Sequence, residues 1–255
     1  MKSSAFIALV MAAGMLQPGQ AQEAPLPRQH TQAVNNMPQW LIDFSNLPRL
    51  EREQYLRAFN HAKQAYQQGQ WVACIGYLAD CEMIFRGNPN VWNLRACCLM
   101  EQKFLEEAEA ELERVRKALP NDPVTTMNLA NIQMARGHYK ESIATLNALR
   151  DLLPYETPKE LLYVLDFREL ICHTMLGQRQ EAEKLVANLS PISDTPLYYY
   201  SQVVFALADG NRMEASRYLR IAGSIFSKGN ILVPYQRTLE LSGITEKKPE
   251  DFPKP

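Results

Sequence analysis

Apolar residues recur at helical spacing through the middle of the chain, most plainly over residues 122–155, DPVTTMNLANIQMARGHYKESIATLNALRDLLPY. Met127, Leu129, Ile132 and Met134 make one stripe, and Ile143, Leu146 and Leu149 a second. Both have the period of an amphipathic helix. Gly137-His138-Tyr139 separates them, and Pro154 closes the stretch because proline cannot continue a helix. The pattern predicts a hairpin of two short helices. A hairpin this small cannot bury its own stripes and needs copies beside it.

The copies are present. A step of 34 residues toward the N-terminus carries Gly137 to Lys103, Ser142 to Ala108, Leu146 to Leu112 and Pro154 to Pro120. A second equal step reaches Gly69, with Cys74 and Leu78 following. In the other direction Gly177 and Gly210 head the helices GQRQEAEKLVANL and GNRMEASRYLRIA, 40 and then 33 residues further on. The longer gap is assigned to a loop at 155–158. About five hairpins therefore fill residues 46–228.

Residues 22–45 read as a linker in which MPQWLIDF (37–44) forms a short helix that packs near the first hairpin, as a cap over the N-terminal end of the array or along the face of its first helices. Residues 229–244 read as a C-terminal capping helix, since a stack of hairpins needs its last apolar face covered. The charged, proline-rich stretch 245–255 reads as a disordered tail. No strand-like alternation of useful length appears, so the predicted class is all-α.

Residues 92–120 carry Trp92, Ala96, Ala108, Leu112 and Pro120, and residues 126–154 carry Leu129, Ala130, Gly137, Tyr139, Leu146 and Pro154. Residues 199–222 carry Tyr199, Ala206, Gly210, Ala215, Leu219 and Ala222. In this order and at this spacing they resemble the tetratricopeptide repeat (TPR), over roughly residues 54–228. The fourth hairpin fits least well, because Asp166 and Glu169 fall where the family has apolar residues.

The resemblance implies a right-handed α-solenoid whose first helices line a concave peptide-binding groove. Carried over by register, that groove holds Phe59, Lys63, Tyr66, Asn93, Met100, Met127, Asn131, Met134, Phe167, Ile171, Tyr200 and Val204. Family members that clamp a peptide carboxylate use several basic residues there, whereas this set has Lys63 alone. An apolar, methionine-rich face instead suits an apolar peptide or helix.

Chemistry is sparse. Cys74 and Cys81 share one helix face, and Cys97 and Cys98 lie in the next helix, so one disulfide within this group is geometrically open and Cys172 is left over. The cysteine and histidine spacings do not suit zinc. No glycine-rich phosphate loop, HExxH or GxSxG motif occurs. No catalytic residue, metal site or cofactor is expected.

Residues 1–21 have a positive start at Lys2, an apolar run from Ala5 to Leu16, and small residues Gly19 and Ala21 at the cleavage positions. They read as a signal peptide, which makes the protein exported, periplasmic or secreted. The formal charge of −1 becomes about −2 without Lys2, and a near-neutral chain argues against nucleic acid. No later run is long enough to cross a membrane. The expectation is a non-enzymatic scaffold binding a protein or peptide partner. The alternatives are an exported glycan-binding protein using Tyr198-Tyr199-Tyr200, and a hydrolase.

Overall fold

The computed structural model describes residues 38–252, and every regular element among them is helical. The expected signal peptide and most of the linker lie outside the described residues. Twelve α-helices follow one another: α1 (Gln39–Ser45), α2 (Arg49–Gln67), α3 (Trp71–Ile84), α4 (Pro89–Glu101), α5 (Leu105–Ala118), α6 (Pro123–Ala135), α7 (Tyr139–Leu152), α8 (Lys159–Met175), α9 (Arg179–Lys184), α10 (Pro196–Ala208), α11 (Arg212–Ile225) and α12 (Val233–Ser242). Short 3-10 turns follow at Ile244–Glu246 and Pro249–Asp251. The chain divides into two compact units, 38–120 and 121–252. Helices α2/α3 and α4/α5 pair in the first unit; α6/α7, α8/α9 and α10/α11 pair in the second.

One turn closes all five hairpins. At Gly69, Lys103, Gly137, Gly177 and Gly210 the backbone is left-handed, with φ between 67° and 78°. The N–H of this residue donates three residues back, and the next N–H donates five back: Gly137 to Met134 O and His138 to Gln133 O in the third hairpin. These are the two bonds of a Schellman cap. Lys103 makes the same pair, to Met100 O and, through Phe104, to Leu99 O, without glycine's freedom. The helix starts are equally regular. Asn88, Asp122 and Thr195 accept backbone N–H bonds as caps, each just before a proline in the first turn, where the missing N–H costs nothing.

Within each unit, adjacent hairpins are tied by a part-buried ion cluster. In the first, Arg95 of α4 reaches Glu82 of α3 at 2.6 Å and Glu111 of α5 at 3.3 Å. In the second, Arg150 of α7 reaches Asp166 at 2.7 Å and Glu169 at 2.6 Å, both on α8. Glu82 and Arg150 occupy the same repeat position, as do Arg95 and Glu169, so the second cluster is the first with its signs exchanged. Asp166 and Glu169 thus stand at apolar family positions because Arg150 needs them, and α8 is in register. The loop before α8 lies where the longer spacing placed it, with Thr157 Oγ1 donating to Pro154 O.

The second helix of the fourth hairpin differs from expectation. It ends at Lys184, and residues 186–189 continue with tighter bonds such as Leu189 N–H to Val186 O, just before Pro191.

The two ends also differ. Helix α1 has no fully buried residue and is held through Phe44, whose ring lies 4.8 Å from Tyr55 and 5.6 Å from Phe85. The stretch expected to be a disordered tail is ordered through residue 252, with Phe252 buried, as is Ile244 just before it. Arg212 of α11 donates to the carbonyls of Thr245 and Lys247, and that pins it.

Candidate peptide-binding face

The first helices of the repeats supply the expected site, and the two units treat it differently. In the first unit Phe59 and Lys63 of α2 are half-buried, beside an exposed Leu56, and the Lys63 ammonium lies 5.4 Å from the centre of the Phe59 ring. Farther along the same face Tyr66 is buried against Trp71, and Asn93 and Met100 of α4 are buried too. The accessible part of the face is therefore the Leu56–Lys63 segment.

In the second unit all seven expected positions are buried: Met127, Asn131, Met134, Phe167, Ile171, Tyr200 and Val204. Helix α12 packs against α6, α8 and α10, the first helices of three successive hairpins. Its Tyr235 ring sits 5.3 Å from Phe167 and 5.1 Å from Tyr200, residues at equivalent positions of α8 and α10. The expectation of an open apolar groove fails in this unit because the chain fills it with its own helix. The expected end cap lies across the repeats. Met127 additionally belongs to a cluster with Leu146, Leu149 and Leu165, which is ordinary inter-helix core.

Beneath α12 lies a residue that the sequence reading missed. Arg168 of α8 is 2 % exposed, and its guanidinium donates to Asn131 Oδ1 at 2.8 Å and, at the 3.5 Å limit, to Val164 O. Among the described residues no carboxylate pairs with it. Burial pushes it down to about 10, so it is still charged near neutrality. The other end of the Asn131 side chain, Nδ2, is buried without an acceptor. The available signal was an arginine one turn from Val164 and Ile171 on an otherwise apolar stripe.

All five cysteines are free and buried, so the disulfide that the spacing leaves open is not formed. Cys81 Sγ donates to Tyr55 O, which points it elsewhere, and the thiols of Cys74 and Cys98 are hydrogen-bonded to each other. The contact with Cys74 and burial both push the Cys98 thiol up, and burial pushes Cys81 up to about 12. Neither has the depressed pKa of a nucleophilic thiol. Of the three consecutive tyrosines Tyr199 and Tyr200 are buried, with Tyr199 Oη donating to Pro191 O, so they offer no sugar-stacking platform. No helix among the described residues is long and apolar enough to cross a membrane.

Comparisons with known proteins agree with this architecture. Residues 99–154 match the family model described as Tetratricopeptide repeat. The structure is similar to that of a thermophilic TPR protein of Thermus thermophilus, at 16 % identity and a TM-score of 0.52, covering 73 % of this chain and 99 % of that one. A mutant O-GlcNAc transferase of Thermobaculum terrenum matches at 16 % identity and a TM-score of 0.45, covering 63 % of this chain and 27 % of that one. No curated protein matches the sequence significantly. The recurring left-handed turn, the capped hairpins and the match over residues 99–154 give the chain the fold of tetratricopeptide repeats.

Proposed function

We propose that the protein is a non-enzymatic interaction scaffold whose first-helix face receives an apolar peptide or amphipathic helix of a protein partner. The observation that carries this reading is α12. A short helix with one buried side, Tyr235, Thr238, Leu239 and Ser242, rests on the face that the repeat geometry offers to ligands. A face that accepts one such helix has the shape and apolar lining to accept another. In the first unit Leu56, Phe59 and Lys63 leave part of the equivalent face uncovered.

The scaffold works outside the cytoplasm, as the apolar run after Lys2 and the small residues before Gln22 suggest. Export is tested by intact mass on protein from its source. A chain beginning at Gln22 supports it, and a retained Met1 refutes it.

The binding face is tested with a photo-crosslinking amino acid at Phe59, compared with one at Val72, which is 77 % exposed on α3. Crosslinked products should map to apolar or amphipathic segments of a partner and should arise from position 59 only. Equal yields at both positions would defeat the groove reading.

A further inference from the structure

We propose that the α6–α8–α10 face binds a partner helix carrying a carboxylate opposite Arg168, and that α12 is the resident helix this partner displaces. The proposal rests on the scaffold reading above and adds the partner's chemistry. An isolated buried charge is among the costliest features a core can hold, and it is tolerated when a counter-ion or a full set of hydrogen bonds compensates. Among the described residues Arg168 has neither. Its five N–H groups have two neutral acceptors, one of them at the edge of hydrogen-bonding distance.

Asn131, the nearer of these, has its own Nδ2 buried without an acceptor. A single carboxylate would serve both groups, one oxygen accepting from Arg168 and the other from Asn131 Nδ2. Helix α12 does not bring one. The side it buries is uncharged, and its one carboxylate, Glu240, faces away, 66 % exposed and paired with Arg237 at 3.0 Å. The resident helix thus matches the apolar part of the face through Tyr235 and leaves the charged part unmatched. Its leading connection permits departure: residues 227–230 before it are exposed, and the left-handed Gly243 ends it ahead of the stretch that Arg212 holds.

The test uses the full chain and two synthetic peptides spanning Ile231–Glu246, one with Tyr235→Glu and one with Tyr235→Gln. They differ in charge at the position whose side chain feels the Arg168 guanidinium. Binding is followed by titration calorimetry, and displacement by hydrogen exchange of the chain's own 233–242 amides. The expected result is roughly tenfold tighter binding of the Glu peptide, equal to about 1.4 kcal/mol, with exchange across 233–242 speeded severalfold.

In the Arg168→Met chain the preference should vanish while the melting temperature holds or rises, since the cation no longer needs a partner. Arg168→Lys should retain part of the preference and serves if the Met variant does not fold. Equal binding of the two peptides would overturn the carboxylate inference and leave the helix-binding face standing. Failure of both peptides to bind or to open α12 at millimolar concentration would overturn that face in this unit as well. A fall in melting temperature on Arg168→Met would make Arg168 a structural strut and also overturn the proposal.

Discussion

Lys103 is where one residue type is set against its backbone. The repeat demands a left-handed residue at this point, and four hairpins meet the demand with glycine. A side chain in that region costs about 1–2 kcal/mol. Lys103→Gly should therefore stabilise the protein by about 0.5–1 kcal/mol in urea unfolding, after glycine's own entropy in the unfolded chain is deducted. Gly137→Ala should do the reverse by about 1 kcal/mol, and the loss is conformational. A Cβ there would meet nothing nearer than 3.9 Å. Equal effects of the two changes would mean that the turn is not the source. The cysteines give a second prediction at this scale. Thiol titration of the native protein should be slow, because all five are buried, and unfolding should release five free thiols. A count of three would mean that Cys74 and Cys98, whose thiols are hydrogen-bonded to each other, had oxidised.

Between elements, the sign-exchanged ion clusters decide which hairpins go side by side. Arg150 sits between two carboxylates, and burial holds the Asp166 carboxyl above its ordinary range despite that partner. Removing the cation in Arg150→Met should raise the Asp166 carboxyl further. A group whose folded pKa lies above its unfolded value supports folding below the unfolded value and loses that support as pH rises through the folded one. The variant should thus lose about 2 kcal/mol at pH 7 and much less at pH 4. A loss independent of pH in paired urea melts would show that packing, not charge, is responsible. Helix α1 depends on fewer contacts, and Phe44→Ala should cost about 1–2 kcal/mol, below the range for a fully buried phenylalanine, because its ring is only part-buried. These clusters were not readable in the chain. Asp166 and Glu169 look like register errors until Arg150, sixteen and nineteen residues earlier, is seen to face them.

At the scale of the whole molecule, the hairpins, their turns and their starts were legible because each is set by local spacing, as with Gly137 or Asp122-Pro123. The occupancy of the first-helix face was not. Periodicity marks 231–244 as amphipathic but cannot say whether its apolar side covers the end of a stack or lies across several repeats. Only the meeting of Tyr235 with Phe167 and Tyr200 decides that. The same blindness hid Arg168, whose importance comes from what lies above it rather than from its neighbours in sequence. The route into α12 also has a bearing on the protein's fate among proteases. Lys228 lies in the exposed stretch just before the helix, within reach of trypsin. The tether holds α12 against its face at an effective concentration in the millimolar range. A single cut after Lys228 would turn an internal helix into a soluble ligand governed by mass action. At high protein concentration the nicked molecule should keep its fragment, and on dilution it should shed it, so ageing or digestion alone could convert a closed scaffold into an open one.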